Sequence, residues 1–67
     1  MTAPIVVHPP SAEGRRRVTS HGNTLGHAEG MVDVIEFLRR VGLDVATIDL
    51  HDEELIEWRG GGPEFWL

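Results

Sequence analysis

The amino-acid sequence predicts an α+β fold: a small antiparallel sheet of about three strands packed on one amphipathic helix, with a short helical turn after it. Three patterns lead there. A β-branched run closes on two prolines (PIVVHPP, 4–10), apolar residues recur at helical spacing over 29–42, and alternation returns in LIEWRG (55–60).

Ile5, Val6 and Val7 favour an extended backbone, and proline cannot donate to a ladder. The first strand is therefore expected to end at Pro9 and to lie at a sheet edge. SAEG (11–14) has turn chemistry, so RRRVTSH (15–21) is expected to return antiparallel as a hairpin. Gly22-Asn23 suggests a bulge or second turn, beyond which Thr24 and Leu25 prolong the strand.

The helix is the clearest element. In EGMVDVIEFLRRVG (29–42) apolar residues fall at 31, 34, 35, 38 and 41, with Val32 and Phe37 flanking. Asp33, Glu36 and Arg40 take the other side, with Glu36 and Arg40 spaced to pair at i,i+4. Glu29 near the start and Arg39 and Arg40 near the end complement the macrodipole, and Gly42-Leu43 has the form of a glycine C-cap with an apolar residue folding back. Residues 44–54 fit either a strand or a short helical segment opened by Asp44; the crowding of Asp52, Glu53 and Glu54 favours the helical reading. In the last strand Ile56 and Trp58 face one side, Glu57 and Arg59 the other. The expected core is Val6, Val18, Leu25, Met31, Val34, Ile35, Leu38, Val41, Ile48, Ile56 and Trp58.

The chain has 67 residues, four histidines, no cysteine and a net charge of −5, which describes one small domain over 1–67, with 1–3 and 61–67 partly flexible. No thiol or disulfide chemistry is available, and a domain this small without a disulfide must pack efficiently or self-associate. The N-terminus has no basic region and only a three-residue apolar run, unlike a signal peptide, and no stretch approaches a membrane span. A cytoplasmic location follows as an expectation.

Residues 1–22 set three arginines against one acid, and residues 23–67 set three against ten. An acidic second half repels phosphate backbones, which makes nucleic acid an improbable partner. The segment after Gly42, DVATIDLHDEE, carries five acids and no base, so it is no DNA-reading helix. His21 and His27 are six apart, which matches neither a helical nor a finger zinc spacing. Counted from Asp49 as a calcium loop, the sixth position is Glu54 and the twelfth Gly60, the wrong residues. GGGP (60–63) does not lead into a helix as a phosphate cradle does, and Ser11 and Ser20 lie in no nucleophile motif. No catalytic residue, metal site or cofactor is expected, and the chain is not expected to be an enzyme.

The candidate interface is what remains. Trp58, Phe65 and Trp66 cluster within the last ten residues, where they either close the core or form an apolar binding patch. Arg15, Arg16 and Arg17 form the basic run, as edge guards, as partners for the acidic stretch, or as a weak nucleic-acid contact. The first reading is a protein-interaction module that binds a partner or a second copy through a sheet edge and the aromatic C-terminus; a nucleic-acid accessory using Arg15–Arg17 is the alternative.

The stretch DVIEFLRRVGLD…LIEWRGGGPEFW resembles small uncharacterised bacterial proteins of actinomycete type, which carry a similar hairpin, a VEFLRR-like helix and an EWRGG-like ending. The resemblance covers about Arg16 to Trp66 and implies a bacterial cytoplasmic origin without implying an activity.

Overall fold

The β-branched run forms β1 (Ile5–Pro10), and the chain returns through β2 (Arg16–Ser20) and β3 (Asn23–Ala28) before α1 (Met31–Arg40) and β4 (Ile56–Trp58). These assignments come from a computed structural model that describes residues 3–66; residues 1, 2 and 67, within the ends expected to be flexible, lie outside the described residues. The fold is α+β, with four strands in the order β3-β2-β1-β4.

The sheet is mixed. β1 pairs antiparallel with β2 (Val7 opposite Val18) and parallel with β4 (Val7 opposite Trp58). A parallel neighbour needs a crossover connection. The chain between β3 and β4 supplies it and carries α1 across one face of the sheet. β1 is therefore an inner strand, which corrects the edge position that Pro9 and Pro10 suggested. The prolines are tolerated because pairing with β4 ends before them: Arg59 N–H donates to the Val7 carbonyl at 2.9 Å, and Gly60 then packs on Pro9. On the β2 side the register slips between Val7 and Pro10, so His8 and Pro9 together face the single residue Arg17.

β2 and β3 are joined by a two-residue turn, His21-Gly22, flanked by the pair Ser20–Asn23. Both turn residues have positive φ (50° and 86°), the geometry whose twist matches a hairpin. Of the two readings of Gly22-Asn23 the turn is the one found, and a bulge lies two residues beyond Asn23, at Leu25 between the pairs Thr19–Thr24 and Val18–Gly26.

The helix begins two residues later and ends two earlier than the 29–42 span. Gly30 caps it without a side-chain bond, while Asp33 Oδ2 accepts from the Glu29 N–H at 2.9 Å. At its end Gly42 N–H donates to the Arg39 carbonyl and Leu43 N–H to the Leu38 carbonyl, with Gly42 at φ 90°: a Schellman motif. Glu36 pairs with Arg39 at 3.9 Å in place of Arg40, whose guanidinium lies 5.5 Å from the centre of the Phe37 ring.

The core joins Val34, Phe37 and Leu38 to Ile5, Val7, Val18, Ala28 and Ile56. Of the expected core, Val6, Val18, Val34, Leu38 and Ile56 are buried; Leu25, Met31, Ile35, Ile48 and Trp58 are half-buried and Val41 is 40% exposed. Phe37 replaces Val41 in the apolar stripe because Gly26 opens a slot for it: a Cβ at Gly26 would stand 2.7 Å from the ring. Residues 44–55 form no helix. Asp44, Asp49 and Asp52 each open a turn by accepting, at 2.9–3.1 Å, the backbone N–H two residues on, so the aspartates that suggested a helix start are local turn formers. A folded chain of this mass is expected to expose about 4,200 Å², and this one exposes 4312 Å², the area of an ordinarily compact domain.

Candidate functional site

Alternation along β2 sends its two arginines to opposite faces. Arg16 shares the helix side with Val18 and is 0% exposed, the largest fully buried side chain of the domain. Nε donates to the His8 carbonyl at 2.9 Å, Nη1 to the carbonyls of Gly62 and Phe65 at 2.8 Å, and Nη2 to those of Arg59 and Gly61 at 2.8 and 2.9 Å. Five N–H donors thus meet five main-chain carbonyls, the full capacity of a guanidinium. Trp58 and Trp66 lie on it as cation–π partners, 5.3 and 5.5 Å from the ring centres. Burial lowers the Arg16 pKa from its ordinary value, but an arginine stays charged in a protein. The cation is held by dipoles and rings, and among the described residues no carboxylate forms a salt bridge with it.

This cage explains GGGP. Glycine at 61 (φ 124°) lets the chain turn its carbonyls inward, and a Cβ there would stand 2.6 Å from the Phe65 side chain. The indole N–H groups are also used within the fold, Trp58 donating to the Leu50 carbonyl at 2.9 Å and Trp66 to the Pro63 carbonyl at 2.6 Å. Of the aromatic candidates, Phe65 alone keeps a largely exposed side chain, at 46%.

The basic run does not form one patch. Arg16 is internal, Arg15 is exposed and pairs with Glu29 at 3.6 Å, and Arg17 is exposed on the face away from the helix, opposite His27. That open face gathers what the sequence left scattered. Val6, Thr19 and Glu57 share it by register, and Thr24 and His27 join from β3. A shallow depression of about 390 Å³ is lined there by Ala3, Pro4, Val6, His8, Thr19, His21, Gly22 and Arg59. His8 Nε2 and Thr19 Oγ1 share a hydrogen bond of 3.2 Å, and Arg59 Nε donates to Glu57 Oε2. Burial lowers the His8 pKa from its ordinary value; Arg17 and Arg59 push it the same way and Glu57 opposes them. Of the eleven acids of the chain, the strands contain Glu57 alone. The signal was available in the alternation Val6-His8 and Arg17-Thr19, but it required the register.

The free edge of β3 is the second feature. Asn-Thr-Leu-Gly-His-Ala contains no acid, lysine, arginine or proline, the residues that ordinarily guard an edge. Across the sheet, β4 is three residues long and is followed at once by the caged loop. Among the described residues, no three of His, Asp and Glu converge to hold a metal ion, and no helix is long and apolar enough to cross a membrane. Comparison with protein families, with curated proteins and with solved structures finds no match to this chain.

Proposed function

We propose that this chain is a non-enzymatic protein-interaction module whose docking surface is the free edge of β3, and that its occupant is a second copy of the chain. The observation that carries the reading is an uncharged six-residue edge strand in a domain where one residue in four is charged. Two such strands related by a two-fold axis meet without placing like charges opposite one another, and the four-stranded sheets join into one of eight. Of the C-terminal aromatics, Phe65 has the most surface left to contribute, since both tryptophans are half-buried and lie against Arg16.

The pair Ser20–Asn23 closes the tight turn and exchanges its hydrogen bonds, so the next pair, Thr19–Thr24, does not, and the Thr24 main chain faces outward. Thr24→Pro removes the outward donor and leaves the β2–β3 ladder intact. Light scattering across a concentration series should show a mass above 7.4 kDa for the wild type, returning to the monomer in Thr24→Pro with an unchanged circular dichroism spectrum. A wild type that stays monomeric at about millimolar concentration, or a dimer indifferent to Thr24→Pro, refutes the assignment.

A further inference from the structure

We infer that the open face of the sheet binds a phosphate group in the depression between His8, Thr19, His21 and Arg59. The inference is independent of the β3 edge and survives if that reading fails. Polar side chains line the depression from four elements: the Arg59 guanidinium from the end of β4, the Thr19 hydroxyl from β2, the His8 ring from β1, and the His21 ring from the hairpin turn. Donors converging from several directions suit a tetrahedral anion with several acceptor oxygens better than a planar carboxylate, which a parallel fork satisfies. Arg17 adds positive charge on the same face and makes no salt bridge with a described residue.

The hairpin turn supplies a second argument. A two-residue turn of this geometry favours Asn-Gly, and here the first position is histidine, held at φ 50°. A residue kept in the left-handed region against a better local choice invites a role for its side chain. His21 lies at the rim of the depression, where the turn projects it. The electrostatics agree: Arg17 and Arg59 disfavour a proton on His8, Glu57 opposes them, and a bound anion would reverse the balance.

The test is an NMR titration at fixed ionic strength with inorganic phosphate, glycerol phosphate and acetate. Phosphate should shift the Thr19, His21 and Arg59 signals and raise the His8 pKa. Arg59→Gln should weaken binding about tenfold, the loss expected for one charged hydrogen bond, and Glu57→Gln should tighten it by releasing Arg59. His21→Asn should weaken binding several-fold while leaving the melting temperature unchanged or higher, which separates the ligand role from a folding role. Glycerol phosphate binding equally would show that the phosphate alone is recognised; tighter binding would show that the organic body rests on Pro4 and Val6; either supports the site. Equal shifts with acetate, or an affinity unmoved by Arg59→Gln, would overturn it. So would a single-stranded oligonucleotide that binds this face when free phosphate does not.

Discussion

On the helix side of the sheet, Val7, Val18 and Ile56 cluster with Val34, Phe37 and Leu38, and Arg16 among them is solvated by five main-chain carbonyls. On the other side Val6 and Thr19 share a face with His8, Arg17, His27 and Glu57, whose polar ends reach water. The two faces are made from the same strands, and adjacent residues, Arg16 and Arg17, belong one to each. The difference teaches that residue type did not decide which arginine became internal. Strand phase did, together with a glycine-rich loop able to aim its carbonyls at the one pointing in.

The largest effect expected on this contrast is at Arg16. Arg16→Met leaves five inward carbonyls without their donor, and each buried polar group left unsatisfied costs about 1–3 kcal/mol. Domains of this length are stable by roughly 3–10 kcal/mol, so urea denaturation should find the variant largely unfolded. Arg16→Lys should rescue little, because an ammonium offers three donors without the planar fork. Arg17→Met on the open side should change stability by less than about 0.5 kcal/mol.

Leu38→Ala comes next, at about 2–5 kcal/mol, since Leu38 is fully enclosed in the core. Gly26→Ala should follow at about 1–3 kcal/mol, because the new methyl group meets the Phe37 ring. A Gly26→Ala/Phe37→Leu double variant should recover part of that loss if the clash is its cause, and additive losses in denaturation would show that it is not.

The smallest effect sharpens the open face. His8 titrates below its ordinary value in the folded chain, so the unfolded chain takes up this proton first as the pH falls. His8 therefore costs no stability above about pH 6.5, the ordinary histidine value, and progressively lowers it below. His8→Gln should flatten that part of the stability profile, measured by thermal melting from pH 7 to pH 5. An unchanged slope would place the titration elsewhere.

How much of this was legible beforehand depends on the range of each interaction. The helix and its Gly42 ending were legible because spacing and capping are local. The inner place of β1 was not. Pro9 and Pro10 argue for an edge, and only the parallel partner Ile56–Trp58, about fifty residues on, shows that the ladder stops before the prolines. The acids of 44–54 suggested a helix start because an aspartate that opens a turn and one that caps a helix use the same side-chain bond. Arg16 was half legible: Val18 is apolar and two residues away, so both share a face, but four of its five acceptors lie 43 to 49 residues further along. The same holds for His8, His21 and Arg59, which are unremarkable apart and adjacent only once the strands are paired.

The arginine cage also sets a timetable. Because the Arg16 guanidinium finds an acceptor at Phe65, 49 residues further along, a growing chain carries an unsatisfied cation on its apolar side until that residue has been made. Closure of the domain is then a late, concerted event, and a ribosome stalled short of Phe65 would hold a chain whose middle is already helical in tendency but whose sheet cannot yet seal.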